Sequence, residues 1–139
     1  MRSVMRPVGA FAVLVLVVLA GGCGNGDGSD IEQAGDAVRE YLAGIAAGDG
    51  DRSCARMSGE AQEQFADQVA EQEPQSGIDS CEEAVERLSG QLADEDLAAL
   101  RDPQIDVTLN RDKATASVEN GPADVTVIKV GGEWLIDAR

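Results

Sequence analysis

The sequence predicts an α+β domain, with three to four N-terminal helices packed on a curved antiparallel sheet of about four strands. Two patterns carry this prediction. Up to about residue 100, apolar residues recur every three to four positions, as on one face of a helix. From Gln104 onward they alternate with polar residues, as in a half-buried strand. Helices followed by strands are typical of α+β domains, and 139 residues provide for one domain.

Capping residues and apolar spacing predict the helices. The first follows a capping box at 29–32 and ends at Gly48. The second begins at Ser58, and the third follows a second capping box at 80–83. A short fourth helix ends before Pro103, because the residue before a proline disfavours helical backbone.

Four strands are predicted from the alternation in the last third of the chain. Gly131 and Gly132 fit the tight turn of a hairpin between the last two. Together the strands form an antiparallel meander. Their predicted ranges are 105–109, 114–118, 125–130 and 133–137.

The amino terminus has the layout of an export signal. Arg2 and Arg6 provide a positive start, and an apolar run occupies 8–20. This run holds about 13 residues, whereas a membrane-spanning helix needs about 20. The segment therefore predicts export of the chain rather than a permanent membrane span.

The residues Leu-Ala-Gly-Gly-Cys at 19–23 resemble the lipobox of bacterial lipoproteins, with leucine one place further from the cysteine than usual. The resemblance implies that a signal peptide at 1–22 is removed and that Cys23 carries a diacylglycerol. Segment 23–29 is then the lipidated cysteine and a flexible tether, and 30–139 is the domain. Acyl chains on Cys23 would hold the protein at the cell membrane, on the extracytoplasmic side. An ordinary cleaved signal peptide and an uncleaved anchor helix are the alternatives to lipidation.

Cys54 and Cys81 remain as a pair in a chain predicted to be exported, and we expect them to form a disulfide. Cys54 lies on a predicted short turn between the first two helices. The bridge would stabilise the domain by about 3 to 4 kcal/mol in the chain-entropy model. A metal or redox pair is the alternative, but the chain has no histidine and no Cys-x-x-Cys spacing.

The charge of the chain restricts its partners. It has 26 acidic and 11 basic residues, a formal charge of −15 at pH 7, and removal of Arg2 and Arg6 would make it more negative. Nucleic acid is excluded as a partner, because its recognition relies on basic side chains. The acidity favours solubility, with attraction of a cation or a basic partner as the alternative.

Five features follow one another in order along the chain: the first helix with Tyr41, Ala-Gly-Asp-Gly-Asp at 47–51, the pair Cys54 and Cys81, Ala-Thr-Ala-Ser-Val at 114–118, and Val-Gly-Gly-Glu-Trp-Leu-Ile at 130–136. In these features and their order, the chain resembles small exported bacterial lipoproteins with a nuclear-transport-factor-2-like (NTF2-like) fold. The resemblance covers roughly 30–139 and implies a cone whose mouth lies between the helices and the curved sheet. Members of this family bind small apolar ligands there, dimerise or catalyse.

This resemblance leads us to expect a non-enzymatic domain that binds a small apolar ligand or an envelope protein. Tyr41, Phe65 and Trp134 are the candidate ligand-binding residues, and Tyr41 and Trp134 are alternatively core residues. A small isomerase or hydrolase that uses Tyr41 with a carboxylate is a second hypothesis. A structural accessory subunit, which predicts an exposed apolar sheet face, is a third.

The sequence offers no catalytic residue, cofactor or metal site that we adopt. Without histidine there is no nucleophilic triad, and no glycine-rich phosphate loop precedes a helix. An EF-hand-like calcium loop is incomplete, because Cys54 stands where its sharp turn needs glycine. The acidic and hydroxyl residues at the calcium-loop positions are Asp49, Asp51, Ser53 and Glu60.

Overall fold

In the computed structural model, which describes residues 26–119, 121 and 124–138, five helices precede four strands. The predicted α+β class is confirmed. The helices are α1 (Gly26–Ala47), α2 (Gly50–Cys54), α3 (Gly59–Gln72), α4 (Cys81–Gln91) and α5 (Asp94–Arg101). The strands are β1 (Ile105–Asn110), β2 (Lys113–Val118), β3 (Val125–Val130) and β4 (Glu133–Ile136).

The prediction of three to four helices is wrong, because the segment interpreted as a short turn around Cys54 forms the separate helix α2. Asp49 caps it, with Oδ1 accepting a hydrogen bond of 3.1 Å from the backbone nitrogen of Arg52. Five residues are too few for an apolar periodicity to show. The cap is therefore the one available signal in the sequence, and Asp51 and Ser53 are equally good capping residues by type, although the structure uses Asp49.

The serine caps predicted for α3 and α4 are confirmed. Ser58 Oγ accepts from the backbone nitrogen of Ala61 at 3.1 Å, and Ser80 Oγ accepts from that of Glu83 at 3.2 Å. Helix α1, in contrast, begins at Gly26 rather than at the predicted box around Ser29. Ser29 Oγ accepts from the side-chain amide of Gln33. The last four residues of the predicted tether are thus helical.

The sheet is an open antiparallel meander with strand order β1-β2-β3-β4. The alternation predicted for β2 is fully realised, because Ala114, Ala116 and Val118 are buried while the residues between them are exposed. The edge strand β4 also meets the segment before α3, where Ile136 exchanges backbone hydrogen bonds with Arg56 and Ser58. This contact covers the outer edge of β4.

The core lies between α1 and the buried face of the sheet. Val38 and Leu42 of α1 pack with Val85 of α4 and Val127 of β3, and all four side chains are fully or almost fully buried. The predicted disulfide joins Cys54 of α2 to Cys81 at the start of α4, with 6.1 Å between their Cα atoms. The disulfide thereby links α2 to α4, and both helices contribute buried residues to the interior.

Two glycines allow backbones to approach closely around α2. A Cβ atom on Gly44 of α1 would lie 2.7 Å from the backbone nitrogen of Ser53, and one on Gly50 would lie 2.6 Å from the Cα of Glu82. Ser53 is itself completely buried, and its hydroxyl donates to the Tyr41 carbonyl oxygen at 2.8 Å. Helix α2 is therefore wedged between α1 and α4.

The predicted signal peptide, the lipobox-like residues and Cys23 lie outside the described residues. Within the described part of the chain, no helix combines the length and the apolar character that crossing a bilayer requires.

Candidate functional site

An apolar cavity of about 510 Å³ lies between the helices and one end of the sheet. Helices α1, α3, α4 and α5 form its walls, and the end of β2 closes one side. Most of its lining is hydrocarbon or aromatic. The large apolar side chains on its walls include Tyr41, Ile45, Phe65, Leu88, Leu92 and Leu100.

Helical spacing explains how these side chains converge. Tyr41 and Ile45 lie four residues apart on α1, so they share the face next to the one that carries Val38 and Leu42 into the core. Leu88 and Leu92 are spaced in the same way at the end of α4. Because these leucines are only partly buried, their apolar surface remains available to a ligand.

Tyr41 stands half-buried on the cavity wall. Burial raises the pKa of its phenol to about 12, because the phenolate loses hydration. The hydroxyl makes no hydrogen bond with any described side chain or backbone group. At neutral pH Tyr41 therefore offers an O–H donor, not an anion, to whatever occupies the cavity.

Polar groups line the cavity mainly from α3, α5 and the segment after β2. Gln68 and Gln72 lie four apart on α3, Asp96 lies on α5, and Glu119 follows β2. All four residues are exposed. They form the polar mouth of an apolar interior, which is the arrangement typical of small-molecule sites.

The structure brings two of the three predicted ligand residues together. Tyr41 and Phe65 line the cavity, whereas Trp134 does not. Trp134 is only 3% exposed and packs in the core, in agreement with its alternative interpretation as a core residue. Its indole nitrogen donates to Asp30 Oδ1 at 3.2 Å, and Lys129 Nζ lies 5.9 Å from the centre of its ring.

Several cavity residues were not recognised as such from the sequence. Leu88, Leu92 and Leu100 follow the helical apolar periodicity, which places a residue on an inward face but does not show whether that face is filled. Asp96 and Glu119 were two of 26 acidic residues with no distinguishing neighbours. Only the tertiary arrangement singles them out.

Two of the four residues of the incomplete calcium loop have structural roles. Asp49 caps α2, and Ser53 is buried with its hydroxyl donating to the Tyr41 carbonyl oxygen. Among the described residues, no three His, Cys, Asp or Glu side chains are grouped so that they could hold a metal ion.

A second hollow, of about 540 Å³, lies between α4 and the loop after α3. Its walls are mainly polar and charged, and it holds the ion pair in which Arg87 Nε lies 3.2 Å from Glu73 Oε2. The side chains of this pair are partly exposed, at 48% and 34%. The hollow is a polar surface groove, so we take the apolar cavity as the candidate site.

No family model matches the chain, and no curated protein or solved structure matches it significantly.

Proposed function

We propose that this protein is an exported lipoprotein, anchored through Cys23 on the extracytoplasmic side of the cell membrane, that binds a small apolar ligand without catalysis. The apolar cavity between the helices and the sheet is the observation that carries the proposal. A preformed apolar space with a polar mouth costs stability unless a ligand uses it, because its walls lose packing contacts.

The beginning of α1 supports the placement at a membrane. Gly26, where the helix begins, is only three positions after Cys23. A diacylated cysteine at that distance would hold the domain against the bilayer surface, since so short a connection has little reach. A protein held there is close to lipids and other apolar molecules that have low solubility in water.

The fold itself supports the NTF2-like assignment. Helices precede an antiparallel meander, α1 packs on its buried face, and the cavity opens between helices and sheet, where that fold has its mouth. Fold alone does not determine function, so the cavity lining carries the binding proposal.

The experiment is ligand capture with a matched pair of variants. The full chain is purified from membranes, and molecules retained in excess over a mock purification are identified by mass spectrometry. Ala99 lines the cavity from α5, whereas its neighbour Ala98 is also exposed and does not line it. Ala99→Trp would fill the cavity with an indole, and Ala98→Trp adds the same group elsewhere.

We expect the wild type and Ala98→Trp to retain the same apolar molecule and Ala99→Trp to lose it. Circular dichroism and disulfide content should be alike in all three proteins. Retention of that molecule by Ala99→Trp at the wild-type level would place binding outside the cavity. Retention of none by the wild type would remove the support for a binding function.

A small enzyme is the second candidate, because Tyr41 shares the cavity with Asp96 and Glu119. Tyr41 would donate a hydrogen bond to a developing oxyanion while a carboxylate removes a proton next to a carbonyl. The two carboxylates are exposed, however, and a base of this kind works best in a dry site.

Deuterium exchange separates the two candidates. A β,γ-unsaturated cyclic ketone is incubated with the full chain in D₂O, and deuterium uptake is followed by mass spectrometry. The enzyme hypothesis requires uptake that depends on the protein and falls about a hundredfold in Tyr41→Phe, as for loss of an oxyanion donor. The binding proposal expects the protein to add nothing to the background rate.

The binding proposal also includes an envelope protein as the partner, in place of a small ligand. The solvent-facing side of the sheet is mostly polar, with Asp106, Thr108, Thr115 and Ser117 exposed. Among the described residues, the large apolar side chains with high exposure are Ile31 and Val130, at 40% and 51%. This face gives less support to a structural accessory subunit than the cavity gives to ligand binding.

A further inference from the structure

The charges at the cavity mouth narrow the class of ligand. Asp96 and Glu119 are the charged side chains that line the cavity, and both are carboxylates. No lysine or arginine of the described residues lines it. The residues next to Gly121 along the chain are also uncharged. An apolar interior thus opens at a mouth whose formal charge is negative.

The remaining polar lining does not offset this charge. Gln68 and Gln72 are neutral amides, and the phenol of Tyr41 is protonated at neutral pH. The chain as a whole carries a formal charge of −15 at pH 7. A negative protein repels anions from its mouth before contact and attracts cations to it.

We propose that the cavity binds an amphiphile with a positively charged head group, such as a long-chain amine or quaternary ammonium compound. The apolar body enters between the helices, and the cation stays at the mouth beside Asp96 and Glu119. This inference rests on the proposed binding function and adds to it the sign of the ligand's charge. Fatty acids and anionic phospholipids are disfavoured by the same groups.

The expected preference for a cationic over an anionic ligand is large enough to measure, but screening by water and salt reduces it. Because both carboxylates are exposed, water and salt screen their interaction with a ligand's head group. An attraction for a cation and a repulsion of an anion together give about a tenfold difference in Kd at low ionic strength. The difference should shrink in 1 M salt, where the screening length is about 3 Å.

The test compares three probes that share an eight-carbon chain: octyltrimethylammonium, octyl sulfate and octyl glucoside. The full acylated chain is placed in lipid nanodiscs, and binding is measured by equilibrium dialysis below the micelle concentrations, with protein-free nanodiscs as background. The double variant Asp96→Asn/Glu119→Gln removes the charges at the mouth. The matched control, Asp94→Asn/Glu95→Gln, removes two exposed charges of α5 that do not line the cavity.

We expect the wild type and the control variant to bind octyltrimethylammonium about tenfold more tightly than octyl sulfate. In Asp96→Asn/Glu119→Gln the ratio should fall to within about threefold. Equal binding of the three probes by the wild type would overturn the charge preference and leave apolar binding standing, as would tighter binding of octyl sulfate. An equal effect of both double variants would assign the preference to overall charge and overturn the role of the mouth. If no probe binds above background, the proposed function fails as well.

Discussion

Lys129 on β3 donates a hydrogen bond of 2.8 Å from Nζ to Oδ1 of Asp30 near the start of α1, joining residues 99 positions apart. Trp134 donates to the same oxygen. The first helix is therefore fixed to the last hairpin by one carboxylate. The hydrogen bonds from Lys129 and Trp134 lower the pKa of Asp30 below its usual 3.8, because both favour the charged form.

This relationship predicts an acid dependence of stability. A carboxyl group with a lowered folded-state pKa stabilises the fold above its unfolded-state pKa, and the stabilisation disappears as the pH falls through the folded-state value. Asp30→Asn should therefore unfold at lower urea than the wild type at pH 7, and the difference should shrink as the pH falls below 3.8 and through the lower folded-state pKa of Asp30. Asp36→Asn is the control, since Asp36 pairs with Arg39 on the exposed surface. A constant difference between Asp30→Asn and wild type across this range would contradict the assigned role.

Alanine substitutions at Gly44 and Gly90 should have opposite effects on stability, because only Gly44 lies where α1 closely approaches α2. In Gly44→Ala the added Cβ would lie 2.7 Å from the Ser53 backbone, which cannot move without disturbing the core, so stability should fall by about 1 to 3 kcal/mol. In Gly90→Ala, on α4, the Cβ meets nothing within 4 Å. At this position the better helix propensity of alanine should raise the free energy of unfolding by about 0.5 to 1 kcal/mol. Urea denaturation measures both, and equal effects would refute the packing described for α2.

The disulfide should account for a large share of the stability. Reduction, or the double variant Cys54→Ala/Cys81→Ala, should lower the free energy of unfolding by about 3 to 4 kcal/mol, because the open chain regains loop entropy. Alkylation before reduction should label neither of these cysteines, and alkylation after reduction should label both. Two accessible thiols at these positions before reduction would show that the bridge does not form.

Tyr41 is the single tyrosine, so its titration can be followed without interference from another phenol. Ultraviolet absorbance should show ionisation with a pKa of about 12 in the folded protein. In urea the midpoint should return to about 10. Burial favours the protonated phenol, so the raised pKa of Tyr41 contributes to the stability of the folded state below the unfolded-state pKa. This contribution to the free energy of unfolding is lost as the pH rises from the unfolded-state to the folded-state pKa. A folded-state midpoint near 10 would mean that Tyr41 is hydrated and does not form a dry cavity wall.

The sequence predicts the sheet and the disulfide better than it predicts the helices and the site. Alternation is a local property, so Ala114, Ala116 and Val118 indicate the buried face of β2 without tertiary information. The capping box at Ser29 misplaced the start of α1, because a local hydrogen-bonding motif is also compatible with a position inside a longer helix. The sequence does not predict helix α2, because five residues are too few to show an apolar periodicity.

The candidate site was only partly accessible to sequence reasoning. The family resemblance indicates Tyr41, Phe65 and Trp134, of which Tyr41 and Phe65 line the cavity and Trp134 lies in the core. The leucines of α4 and α5 carry the same periodicity whether they fill a core or line a cavity. Asp96 and Glu119 gain meaning only from the fold, which brings residues from five elements around one space.

The most direct test of the account is the chemical state of Cys23 in the protein as the cell makes it. The full chain is expressed with its own amino terminus, labelled with palmitate, and its intact mass is determined from membrane and soluble fractions. We predict a membrane-bound chain that begins at Cys23, carries acyl groups that Cys23→Ser abolishes, and lacks 1–22. A chain in the cell interior that keeps 1–22 and carries no acyl group would contradict the account.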